Sequence, residues 1–233
     1  MLGLAGAVKD LHSENCRHGD LKPENILQFN KADEELLVIA DVSMSRIHKE
    51  ATHLRTGGLT IRDTTSKYEA PEAYMYVKAP RSRKYDIWSL GCVFLEFVIW
   101  FLYDFEAIEI FSYDRAEVDN CMYFYTSTRK GIEIHPRVSE VIQVLRQDIR
   151  CQGGTGFEAL LSLIEDSLLQ VEVERRDTAI GVVTILEAIL MEAEKSPSYM
   201  MNLSDALPTK PLVFQRQHRN PIACGFMDPL TTG

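Results

Sequence analysis

The sequence predicts a mainly α-helical fold with one small β-hairpin. Three observations carry that expectation. Apolar residues recur at helical spacing through most of the second half, two short β-rich stretches flank a polar turn near the N-terminus, and a nearly unbroken apolar run reaches from Ile87 to Phe105. A length of 233 residues with 45% hydrophobic content is enough for one domain with a real core. We place that domain at residues 1–195 and an irregular tail at 196–233.

Residues 1–13 carry Leu4, Val8 and Leu11 at helical spacing and end in His12 and Ser13, as the last turns of a helix would. The apolar start lacks a basic region and meets Lys9 and Asp10 too soon for a secretory signal, so the chain begins inside a helix. Ile26–Phe29 and Leu36–Ala40 read as the two strands of the hairpin, with the polar turn 30–35 between them. The stretch from Ser43 to Lys67 is polar and aperiodic, and reads as a long surface loop.

The run from Ile87 to Phe105 approaches membrane-span length, but Glu96 and Asp104 interrupt it. A helix apolar on all sides also suits the buried centre of a soluble domain, and that is the reading adopted. Helices are expected over 138–150, 157–171 and 179–194, the second presenting Phe157, Leu160, Leu161, Ile164, Leu168 and Val171 on one face. Prolines 197, 208, 211, 221 and 229 break any helix beyond Lys195.

Composition excludes some functions. A formal net charge of -9 argues against nucleic acid as a partner, because phosphate backbones need concentrated Lys and Arg. Five scattered cysteines (16, 92, 121, 151 and 224) contain no CxxC pair and fit a reduced, intracellular and cytoplasmic setting. The six histidines show no paired metal spacing. Gly154 to Ala159 satisfies a loose G-x-G-x-x-A pattern, but no strand precedes it, so it reads as an ordinary loop leading into a helix.

The chemistry concentrates in HGDLKPEN, His18 to Asn25, followed by Asp41-Val42-Ser43. Phosphoryl transfer asks a protein for an oriented nucleophile and for cations around the phosphates. Asp20 could accept a hydroxyl proton, Lys22 could neutralise the migrating phosphate, and Asn25 with Asp41 could hold Mg²⁺ through hard oxygen ligands.

These strings resemble a known family. HGDLKPEN is similar to the catalytic loop of eukaryotic-type protein kinases, and Asp41-Val42-Ser43 stands where their metal-binding DFG does. Ala70-Pro71-Glu72 resembles their APE, Asp86 to Gly91 the start of their central buried helix, and Arg176 to Ala179 the segment whose Arg pairs with the APE glutamate. The HGD form, the long activation segment and PRSRKYDIWSLGCVFLEF look most like kinases of filamentous fungi. The resemblance implies a kinase C-terminal lobe that uses ATP and Mg²⁺ and transfers the γ-phosphoryl group to a Ser or Thr hydroxyl of a protein substrate. It further implies that Thr65 bonds the catalytic Asp and Lys, that Leu27 forms the floor under adenine, that Glu24 lies near the ribose, and that Asp86 accepts hydrogen bonds from the catalytic-loop backbone.

The pattern also departs from the family. Gly19 stands where kinases have Arg, which removes the usual partner of an activation-loop phosphate, and Ser43 replaces the DFG glycine. Only nineteen residues precede Asp20, so this sequence holds no glycine-rich loop and no VAIK-like lysine of an N-terminal lobe. Two other readings stand beside the kinase: an inactive pseudokinase-like scaffold, and a small-molecule phosphotransferase, against which the APE-like and DIWSLG strings speak.

Overall fold

The computed structural model describes residues 1–31, 34–41, 46–47, 67–75, 81–119 and 122–202. Helix α1 (Leu2–Ser13) forms where expected, burying Leu4, Ala5, Val8 and His12. The chain then turns through Asn15 into the two-residue strand β1 (Cys16–Arg17). Strands β2 (Ile26–Lys31) and β3 (Glu34–Ile39) make the expected antiparallel hairpin, in the register Ile26 to Ile39. Within the stretch expected to be loop, Arg46–Ile47 forms a short strand, β4, that pairs antiparallel with β1.

After the short helix α2 (Pro71–Met75) comes α3 (Lys84–Leu102), the centre of the molecule. Every residue from Tyr85 to Glu96 is buried, which is what an apolar helix surrounded by other elements requires. By length and composition α3 could cross a membrane, but most of it is buried against the rest of the chain. Helix α1 packs on α7 (Ala179–Lys195) and meets β3, and α3 packs on α4 (Phe105–Asp119) and on the π turn Ile164–Leu168 that follows α6 (Gly156–Leu163).

The expected apolar run to Phe105 is in fact two helices. Tyr103 leaves helical geometry, and Asp104 accepts a 2.9 Å hydrogen bond from the Ala107 N–H, starting α4 (Phe105–Asp119). The Asp that looked like an interruption is a helix cap. A second hairpin, β5 (Tyr125–Thr128) and β6 (Gly131–Ile134), was also not expected. Its turn uses Gly131 at φ +129, a conformation glycine adopts without the clash of a Cβ.

The helix expected over 138–150 is α5 (Pro136–Gln147), with Pro136 at its first position and a separate 3₁₀ turn at Ile149–Cys151. The helix expected over 157–171 stops earlier. Helix α6 (Gly156–Leu163), capped by Thr155, continues only as a π turn, Ile164–Leu168, closed by the Leu169 N–H donating to the Ile164 carbonyl. Of the six residues expected on one face, five are buried and Val171 is half-buried. Helix α7 (Ala179–Lys195) is as expected. Beyond Lys195 a 3₁₀ turn at Pro197–Tyr199 packs Tyr199 on the core.

The π turn brings Leu168 against α3. A Cβ on Gly91 would lie 2.8 Å from Leu168 Cβ, an atom with no rotamer by which to escape. Gly91→Ala is therefore expected to cost about 1–3 kcal/mol through overpacking, read as a lowered thermal midpoint.

Candidate active site

The site is assembled on α3 through one buried carboxylate. Asp86 is fully buried and accepts from the His18 N–H at 2.8 Å through Oδ2 and from the Gly19 N–H at 2.8 Å through Oδ1. His12 Nε2, from the end of α1, lies 2.9 Å from the same Oδ2. The end of α1 and the loop thus meet on a side chain 67–74 residues further along the chain. His18 is itself fully buried, its Nε2 2.9 Å from the Ala40 carbonyl, which fixes the loop against the end of β3. Gly19 takes φ +86, where a side chain would be strained.

On this support the loop aims Asp20, Lys22 and Asn25 at one another. Lys22 Nζ is 2.8 Å from Asp20 Oδ2. Asn25 Nδ2 donates to the Asp20 carbonyl at 2.8 Å and to Asp20 Oδ2 at 3.1 Å. Both side-chain contacts use Oδ2, leaving Asp20 Oδ1 to other partners. Pro23 at the start of the 3₁₀ turn Pro23–Asn25 fixes the backbone that delivers Asn25.

The hairpin brings Asp41 to the same end. The Ala40 N–H donates to the Asn25 carbonyl at 2.8 Å, so Asp41 follows directly on the residue paired with Asn25. Asp41 is exposed and sits at φ +57, an uncommon conformation for a non-glycine residue that Asp tolerates better than most. With its amide nitrogen committed to Asp20, Asn25 keeps its Oδ1 as a possible ligand. One amide oxygen and one carboxylate suit an ion such as Mg²⁺, which takes many of its ligands from phosphates and water. No group of three or more His, Cys, Asp or Glu able to hold a metal occurs among the described residues.

Glu24 is exposed, and Leu27 is 43% exposed on the hairpin beside Phe29 at 50%. Thr65, Val42 and Ser43 lie outside the described residues.

The segment leading to α2 is held by two buried clusters. Glu72 receives two bonds from Arg176, Nη1 to Oε1 at 2.8 Å and Nη2 to Oε2 at 2.7 Å, and Arg176 also donates to the carbonyls of Gln170, Val171 and Lys84. Glu72→Gln keeps the shape but loses the charge and offers one amide NH₂ to a donor. It is expected to lower stability by about 1–3 kcal/mol, measured by urea denaturation.

The second cluster was not anticipated. Glu96, an apparent interruption in an apolar run, accepts from the Tyr68 hydroxyl and from Lys67 Nζ at 3.1 Å. Arg115, fully buried, brings Nη2 to 3.7 Å from Glu96, at ion-pair range, while its guanidinium lies between the rings of Phe111 and Phe124 at 3.9 and 4.2 Å. Burial, and then the Glu96 charge, push the Tyr68 phenol far above its ordinary range, so it stays a donor. Burial pulls the Arg115 pKa down, opposed by Glu96. Ser89 Oγ donates to the Tyr68 carbonyl at 2.9 Å. The available signal was a lone Glu in a helix too apolar to face water, which must find buried partners.

Comparison with known proteins bears on this arrangement. The chain is 35% identical over 92 residues to GLH-binding kinase 1 of Caenorhabditis elegans, covering 40% of this chain and 22% of that one. It is 38% identical over 90 residues to the serine/threonine-protein kinase chk-2 of the same organism, covering 39% and 17%. To extracellular signal-regulated kinase 1 of Dictyostelium discoideum it is 41% identical over 93 residues, covering 38% and 16%. The chain thus matches about a fifth of the length of these curated relatives. The family model for the protein kinase domain matches residues 1–184, a span that contains the Asp86-anchored loop, the hairpin and the Glu72–Arg176 pair. By that match the chain belongs to the protein kinase domain family.

Proposed function

We propose that residues 1–195 are the C-terminal lobe of a protein serine/threonine kinase, followed by a tail over 196–233. The observation that carries the reading is the Asp20–Lys22–Asn25 cluster, closed at 2.8 to 3.1 Å and set at the same hairpin end as Asp41. Asp20 Oδ1 takes the proton of the attacking Ser or Thr hydroxyl, while Lys22 and Asn25 fix the carboxylate through Oδ2. Lys22 also neutralises charge on the transferring phosphoryl group. Asn25 Oδ1 and Asp41 hold Mg²⁺, which when bound offsets the charge on the phosphates of ATP. The left-handed backbone at Asp41 supports this, since such conformations gather where a ligand needs a side chain aimed.

Thr65 bonds Asp20 and Lys22, Leu27 lies under adenine, and Glu24 lies near the ribose. The exposed apolar Leu27 and Phe29 suit a surface covered by nucleotide and by an ATP-covering lobe. The LKPEN string and the scattered cysteines support the serine/threonine class and an intracellular, cytoplasmic site of action. The HGD form and the Pro80 to Phe97 string support a filamentous-fungal type.

The test is to supply an N-terminal lobe and follow ³²P from γ-labelled ATP onto a protein acceptor, with Asp20→Asn as control. Transfer that persists undiminished in the control rejects Asp20 as the base, and transfer to an aminoglycoside but to no peptide rejects the protein kinase.

Gly19 favours a second reading, an inactive scaffold, because it leaves the loop without the cation that answers activation-loop phosphorylation. Calorimetry with Mg-ATP separates the two. Micromolar binding by the chain counts against a purely scaffolding role.

A further inference from the structure

The exposed residues of α3 are Phe97, Trp100 and Phe101, at 38%, 49% and 48%. They stand at i, i+3 and i+4, with the Phe97 ring centroid 5.6 Å from Trp100 and 6.1 Å from Phe101. Three neighbouring aromatic rings on the central helix form an apolar face of the kind that is normally covered.

The path of the chain beyond α7 indicates by what. The Phe101 ring lies 5.2 Å from Phe157, whose N–H donates to the Met200 carbonyl at 3.1 Å, and Met200 and Tyr199 sit directly over Gly156. The Asn202 N–H donates to the Arg150 carbonyl at 3.1 Å, and Arg150 Nη1 in turn donates to the Leu102 carbonyl at the end of α3. Two independent contacts therefore deliver residue 202 to the edge of the aromatic face. Residues 203–233 follow, outside the described residues, and contain the apolar stretch Pro211-Leu212-Val213-Phe214 between Lys210 and Arg216. The eight residues before Pro211 can span about 26–29 Å when extended. Phe97 is only about 8 Å up the helix from Leu102. The exposed Glu106 and Glu109, on the first turns of α4 just past α3, offer carboxylates to the two flanking cations.

We propose that Pro211–Phe214 docks in cis on Phe97, Trp100 and Phe101, with Lys210 and Arg216 facing Glu106 and Glu109. A tether of this length holds the segment at an effective concentration on the order of millimolar, far above that of a second copy at micromolar protein. The proposal does not depend on phosphoryl transfer.

Tryptophan fluorescence tests it, because the chain has two tryptophans and Trp88 is fully buried. Acrylamide quenching of the full chain is expected to show Trp100 shielded, and the L212D/F214D double variant, changed only outside the described residues, to raise the quenching constant severalfold. Trp100→Phe should abolish that difference and so assign the signal. Equal quenching in the parent chain and in L212D/F214D overturns the proposal. Shielding that disappears on dilution also overturns it, and identifies a second copy as the cover.

Discussion

With an ATP-covering lobe supplied, Asp20→Asn is expected to slow phosphoryl transfer by about 10²- to 10⁴-fold, the usual share of a general base. The amide cannot take the hydroxyl proton. Its oxygen can still accept from Lys22 or from Asn25 Nδ2, the two groups that hold Asp20 Oδ2 in the parent. The loop should therefore keep its shape, the melting curve should hardly move, and the loss should appear in single-turnover rates with little change in ATP affinity. A variant that loses ATP affinity and rate together would show that Asp20 acts in binding instead.

Asp86→Ala is expected to destabilise the chain by about 3–5 kcal/mol, because several donors are left without an acceptor at about 1–3 kcal/mol for each that stays buried. Three donors lose their acceptor at once: the N–H groups of His18 and Gly19, and His12 Nε2. Two of them have little access to water, since His18 is fully buried and His12 nearly so, while Gly19 is half-buried. The measurement is the free energy of urea unfolding, with hydrogen exchange at the His18 and Gly19 amides as the local readout. Asp86→Asn should fall between alanine and the parent. It keeps one acceptor oxygen but turns an NH₂ toward a donor.

The sequence was most legible where one physical signal dominated. Helical spacing in α1 and α7, and β-rich stretches around a polar turn, located those elements within a few residues. Asp20, Lys22 and Asn25 of HGDLKPEN contact one another because a short loop brings near neighbours together whatever surrounds it. Asp41 came within reach through the hairpin, whose strands had been read.

Other elements were hidden because one residue type serves opposite roles. Asp104 and Glu96 looked alike as interruptions of an apolar run, yet Asp104 caps α4 and Glu96 is a buried acceptor for Lys67 and Tyr68. Only the partners distinguish them, and those partners lie far off in sequence. The end of α6 was missed for a related reason. Its π turn shifts the register by one residue, so an apolar face that looks continuous on a regular helix can be satisfied by two different geometries.

The Glu72–Arg176 pair joins residues 104 apart in the chain. On a ribosome that adds roughly 5–20 residues per second, Glu72 is made some 5–20 s before its partner exists. For most of that interval α2 lacks the Arg176 guanidinium, although α3 is already synthesised. Folding of this molecule is therefore vectorial only in part. The segment around α2 is made early and locked late, and slowing translation between codons 72 and 176 should prolong the time the nascent chain remains bound to chaperones.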